Sequence, residues 1–122
     1  MVKSHLQKNN PIIRLTVGGE PVDFLIDTGS SVSVLSMNTF NRLKKCFDLI
    51  LKVVKPINLR AVNESSIKIY GKVRLNVNFN GEELPYNFLV SNLNVNIVGF
   101  DFMRRYDMMF IGHGDFMSFF RK

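Results

Sequence analysis

The chain has 122 residues, enough for one hydrophobic core and too few for two ordinary domains. Its composition, 46% hydrophobic with 11 Phe, describes a packed globular domain and excludes a disordered chain. The net charge of +6 suits acidic partners, but no nucleic-acid motif or aromatic-basic platform accompanies it, so no nucleic-acid partner is expected. No apolar run reaches membrane-spanning length, and the first residues lack the apolar stretch of a signal peptide. The single Cys46 has neither a disulfide partner nor metal-ligand companions; it fits a reducing, cytoplasmic setting and reads as a small half-buried side chain.

Residues 1–10 are polar and basic without periodicity and read as a flexible arm, leaving 11–122 as the domain. Pro11 to Val17 alternates as a strand, Gly18-Gly19 supplies a two-residue hairpin turn, and Glu20 to Ile26 returns as the second strand. Ser36 is placed to N-cap a short helix with Met37, Phe40 and Leu43 on one face, and Lys44 and Lys45 suit its C-terminal dipole. The basic residues between Arg42 and Lys55 read as a solvated face. Strands are expected over Leu49–Val54 and Ile57–Ala61, then a polar tip at 62–66. A long alternating strand follows from Ile67 to Phe79, with Gly71 as a bend. Asn80-Gly81 is the strongest hairpin signal in the chain; Leu84–Val90 pairs back, and Val95–Gly99 forms another core strand after a turn at Asn92 and Asn94. Asp101 is expected to N-cap a short helix ending near Tyr106. Met108–Ile111 and Phe116–Phe120 close a last hairpin around a turn at 112–115. His5 and His113 read as solvent-exposed. Many short strands with two short helices describe an all-β domain, a small closed barrel or a sandwich.

The stretch with chemical content is Phe24-Leu25-Ile26-Asp27-Thr28-Gly29-Ser30. A buried-strand pattern ends on a carboxylate, a glycine allows a sharp turn, and apolar alternation resumes at Val32, Val34 and Leu35. Asp27 therefore sits in a tight loop between two core strands, where a lone carboxylate is costly unless compensated.

Asp27-Thr28-Gly29-Ser30 resembles the active-site loop of the aspartic proteases, and the order of elements over residues 11–120 resembles a retropepsin. Gly18-Gly19 matches the first hairpin of that family. Ile97-Val98-Gly99 matches its second signature, and Gly99-Phe100-Asp101-Phe102-Met103 follows the pattern of gypsy-like LTR retrotransposon proteases. Where retroviral enzymes carry an acid and an arginine that pair, this chain has Ser31 and Phe100, which points to a retrotransposon branch.

The resemblance implies a closed β-barrel active as a homodimer, since one Asp-Thr-Gly supplies only half of a two-carboxylate site. Asp101 lacks a following Thr-Gly and reads as the helix cap, not the second acid. Two Asp27 carboxylates meeting at a two-fold axis would share one proton, activate a water and support the tetrahedral intermediate, with no metal or other cofactor. Thr28 would bond the partner's loop, Gly29 would face substrate, and Ser30 would donate to the carboxylate. An extended peptide would lie between the floor, including Ser31, and a flap tip at Val62, Asn63, Glu64, Ser65 and Ser66. Val34, Ile67, Val95 and Ile97 would line its side-chain pockets. The expected substrate is a Gag-Pol-type polyprotein; the alternatives are a host-domesticated retropepsin cutting a cellular protein, and a non-catalytic dimerisation or peptide-binding module.

Overall fold

The computed structural model describes residues 11–55, 67–113 and 116–121, with the backbone alone considered from residue 110 onward. The first hairpin follows from its turn: Gly18 and Gly19 both take positive φ, 57° and 88°, which matches the twist of the strands they join. Strand β1 (Ile12–Val17) thus pairs antiparallel with β2 (Glu20–Asp27), from Val17 opposite Glu20 to Ile12 opposite Leu25. On its outer face Arg14 grips Asp23 through two hydrogen bonds, 2.7 and 3.0 Å. Strand β3 (Val34–Ser36) runs directly into helix α1 (Met37–Lys44). Ser36 caps that helix, its hydroxyl accepting from the Thr39 N–H, and Phe40 and Leu43 are its buried face.

The second hairpin turns on Asn80 and Gly81, at φ 52° and 83°, and joins β4 (Ile69–Phe79) to β5 (Glu82–Ser91). A register shift between Ile69 and Gly71 marks the bend expected there. A Cβ on Gly71 would lie 2.5 Å from the Lys52 carbonyl oxygen, so glycine permits that close approach. No strand forms over Leu49–Val54. Leu49 and Leu51 pack against the core, Ile50 and Val53 are exposed, and Lys52 alone bridges to β4, opposite Lys72. Alternation there reflects a segment lying along the barrel wall. The strand expected over residues 57–61 and the tip at 62–66 lie outside the described residues.

Strand β6 (Asn96–Gly99) leads into helix α2 (Phe100–Arg105), and β7 (Met108–His113) pairs with β8 (Phe116–Arg121) as a separate ribbon. Strand β7 thus runs through Gly112 and His113, two residues beyond the end expected at Ile111, and residues 114–115 lie outside the described residues. The barrel closes in the order β1-β2-β6-β3-β5-β4, with β4 back on β1. Inward residues of β1, β2, β4 and β5, among them Leu15, Val22, Phe24, Leu75 and Phe88, fill it, and α1 and α2 add Leu43 and Phe102. The sheet is therefore the closed barrel of the two all-β alternatives. Cys46 is exposed, not half-buried.

Two contacts decide where the site lies. Strand β6 is inserted between β2, with which it is parallel, and β3, so Asp27 falls in register with Gly99. Buried Asn96 ties the same three strands together: its side chain accepts from the Ser36 N–H at 2.8 Å and donates to the Asp23 carbonyl at 3.0 Å.

Candidate active site

Asp27 ends β2 and is 5% exposed. One carboxylate oxygen, Oδ1, accepts from the Gly29 N–H at 3.0 Å, and the Ser30 N–H closes the turn onto the Asp27 carbonyl at 3.0 Å. The other, Oδ2, is buried and has no hydrogen-bond partner among the described residues. Burying an acceptor this way costs free energy unless a partner is supplied. Thr28 and Gly29, immediately beyond, are exposed.

Ser30 does not reach the carboxylate. Its buried hydroxyl donates to the Val32 carbonyl at 2.7 Å and accepts from the Val32 N–H at 3.3 Å, a local bond that outcompetes the expected one. Its role is to hold the loop's curvature.

The loop is fixed from the far side by residues that sequence reasoning assigned otherwise or passed over. Asp101 is not the cap of α2. Gly99 occupies that position without any side-chain cap bond, and Asp101 sits in the first turn with its carboxylate turned toward the loop. Its Oδ1 accepts from the Ser33 hydroxyl at 2.7 Å; its Oδ2 accepts from the Ser33 N–H at 3.2 Å and the Tyr86 hydroxyl at 2.8 Å. The Ser33 hydroxyl in turn accepts from the Gly99 N–H at 2.9 Å, and the Phe100 N–H donates to the Ser30 carbonyl at 2.8 Å. Burial, together with the Asp101 carboxylate, pushes the Tyr86 phenol well above its ordinary value, so it remains a donor. Nothing local in the sequence marks Ser33 or Tyr86; only their separation of 68 and 15 residues from Asp101, closed by the fold, gives them this role.

Tyr86→Phe removes one hydrogen bond to a charged acceptor and keeps the ring contacts with Phe88 and Phe102. A loss of about 1–2 kcal/mol is expected, read as a lower urea midpoint with unchanged slope. An unchanged midpoint would show that the Asp101 tie carries no stability.

Val34, Ile67 and Ile97 form a small apolar cluster apart from the main core, with Val95 packed on it. All four residues expected to line pockets therefore come together, although Val34 and Ile97 are fully buried in the single chain. Ile97 stands two residues along β6 from Gly99, and Val34 is opposite it on β3, so the cluster adjoins the Asp27 loop. Ser31 is exposed at the mouth of a cleft with Phe100 and Arg104. Val62, Asn63, Glu64, Ser65 and Ser66 lie outside the described residues. A further cleft of about 380 Å³ joins Thr28 to Phe100, Met103, Met108 and Met109; Phe100 is 52% exposed there.

The span that holds the Asp27 loop and β6 also matches a known family. Residues 13–105 match the model of the gag-polyprotein putative aspartyl protease family. The chain belongs to that family. The aspartyl-protease fold is shown independently by solved structures. EIAV protease complexed with the inhibitor HBY-793 is 22% identical with a TM-score of 0.64, over 85% of this chain and 93% of that one. The retroviral protease-like domain of Ddi1 from Leishmania major is 21% identical, TM-score 0.64, over 93% and 96%. A retropepsin-like aspartic protease from Rickettsia conorii is 18% identical, TM-score 0.60, over 98% and 92%. No curated protein matches the sequence. The retropepsin-type barrel expected from the sequence is therefore the fold of this aspartyl protease.

Proposed function

We propose that the chain is an aspartic endopeptidase whose active site is assembled by two copies, each contributing Asp27. The observation that carries this is the buried, unpartnered Oδ2 of Asp27 beside an exposed Thr28 and an apolar rim of Phe100 and Met109. A second copy across a two-fold axis brings the matching carboxylate to that oxygen and covers the rim. Two carboxylates so close cannot both ionise, so the pair holds one proton, the rule for aspartic proteases generally. The ionised member takes a proton from a bound water, which attacks the scissile carbonyl. The protonated member donates to the carbonyl oxygen as the tetrahedral intermediate forms. Thr28, exposed at the rim, is placed to bond the partner's loop, and Gly29 leaves room for substrate main chain. Ser30 shapes the loop without touching the carboxylate.

The substrate is an extended peptide with apolar residues flanking the cut bond, seated over the Val34–Ile97 cluster with Ser31 beside it. A Gag-Pol-type polyprotein of a retrotransposon, processed in the cytoplasm, is the first reading of the substrate; the family model supports its gag-polyprotein part. A cellular substrate is the second reading, favoured by the equal structural likeness to a Ddi1 domain. A silent binding module is disfavoured, because it has no use for a buried carboxylate oxygen left without a partner among the described residues.

Shared assembly of the site predicts that specific activity on the polyprotein precursor falls on dilution, tracking the dimer fraction measured by sedimentation. Activity that stays constant well below the dissociation constant would exclude a site shared between chains.

A further inference from the structure

Three clefts on the outer wall of the barrel share lining residues end to end. The first, about 420 Å³, lies between the 48–52 segment and the β4–β5 hairpin and is bordered by Lys52, Lys72 and Arg74. The second, about 260 Å³, shares Arg74 and Asn87 with the first and adds Tyr86 and Arg105. The third, about 680 Å³, shares Tyr86 and Arg105 with the second and reaches Arg104. One continuous track therefore carries five cations in a row.

None of these five is in an ion pair among the described residues, where the pairs formed are Arg14–Asp23 and Arg42–Glu20. Two acids border the track. Asp48 stands at its first cleft, and the Asp101 carboxylate at the third is occupied by Ser33 and Tyr86. Lys52 and Lys72 lie directly opposite each other, joined by two main-chain hydrogen bonds of 2.8 and 2.9 Å. Like charges so placed repel, and an anion between them turns that repulsion into attraction. Arg105 is steadied with its guanidinium 5.0 Å from the centre of the Tyr106 ring.

We propose that this track binds the phosphate backbone of single-stranded nucleic acid. Cations outside any ion pair along joined clefts need only phosphates to complement them. A polypeptide adding as a strand would need the main-chain groups of β4, and at Lys72 both are already bonded to Lys52. The proposal does not rest on peptide hydrolysis, although Ser31 and Phe100 of the candidate active site border the third cleft. Arg104 also borders the Thr28 cleft, so the test uses the other end of the track.

The test measures binding of a fluorescent polyuridylate of about 20 nucleotides to the full chain by anisotropy, between about 25 and 200 mM KCl. With all five cations engaged, the logarithm of affinity should fall against log salt with a slope of about −3.5, at roughly 0.7 per phosphate. The double variant Lys72→Gln, Arg74→Gln should bind about tenfold more weakly at the lowest salt, with the slope reduced by about 1.4. The double variant Lys44→Gln, Lys45→Gln loses the same charge on α1, outside the three clefts, and should change affinity by less than about twofold. A Lys72→Arg, Arg74→Lys variant should bind as wild type, which separates charge from folding. Equal weakening by both neutralised pairs, absence of salt-dependent binding, or loss of binding in the charge-preserving variant would overturn the proposal. Polyglutamate competing as well as polyuridylate would overturn it in favour of an acidic polypeptide.

Discussion

Asp27→Asn is expected to lower kcat/KM on the polyprotein precursor by about 10³-fold or more, while the chain still folds and dimerises. The amide nitrogen and oxygen replace the two carboxylate oxygens without a change of volume. The Gly29 N–H keeps an acceptor through the amide oxygen at the Oδ1 position. What is lost is the base: an amide does not take the proton of the attacking water. In the proposed dimer, with one Asp27 from each copy, the variant would remove both carboxylates at once. Mixed dimers formed with wild-type chains should then be as inactive as the mutant homodimer, giving a rate that falls with the square of the wild-type fraction. Substantial turnover by the purified variant would mean that hydrolysis is carried elsewhere in the molecule.

Gly99→Ala should be the most damaging small substitution in the chain. The φ of Gly99, −95°, is open to any residue, so backbone strain plays no part. The obstacle is space: a Cβ there would lie 2.3 Å from the Val32 carbonyl oxygen and 2.9 Å from that of Ser30. Both are main-chain atoms of the Asp27 loop, and neither can rotate away. The loop must back off from β6. That stretches the Phe100 N–H bond to Ser30 and the Gly99 N–H bond to Ser33. Overpacking of this kind costs about 3 kcal/mol, and the displaced loop carries the carboxylate with it. The expected result is a lower melting temperature together with a loss of activity at temperatures where the variant is still folded. Wild-type melting and activity in Gly99→Ala would show that the loop and β6 are not in the contact described.

The parts of this molecule that could be read from sequence are those governed by neighbours along the chain. Gly18-Gly19 and Asn80-Gly81 turn because their φ values are positive, and Ser36 caps because its hydroxyl reaches an amide three residues on. The Asp27 loop belongs to the same class, a carboxylate bonded two residues ahead to Gly29. Errors arose where a side chain had both a local and a distant choice. Asp101 stands in the first turn of α2, one residue inside the helix start, but Ser33 and Tyr86 offer three donors across the fold and take the carboxylate. Ser30 went the other way, bonding locally to Val32 where a bond to Asp27 was expected. Leu49–Val54 alternates like a strand, yet β4 offers it one bridge only, so propensity found no ladder to join.

The insertion of β6 between β2 and β3 also sets an order of events. Every tie that holds the Asp27 loop from behind spans a long stretch of chain: 66 residues from Ser33 to Gly99, 68 to Asp101, and 73 from Asp23 to Asn96. Such contacts carry the full loop-closure entropy and form late in folding. During synthesis the first hairpin and α1 emerge long before the strand that completes them. The loop therefore stays without its supports until Gly99 and Asp101 have left the ribosome. Pulse-labelled hydrogen exchange should accordingly find the Gly29 and Ser33 amides protected together with the Gly99 amide, and after those of the β1–β2 ladder.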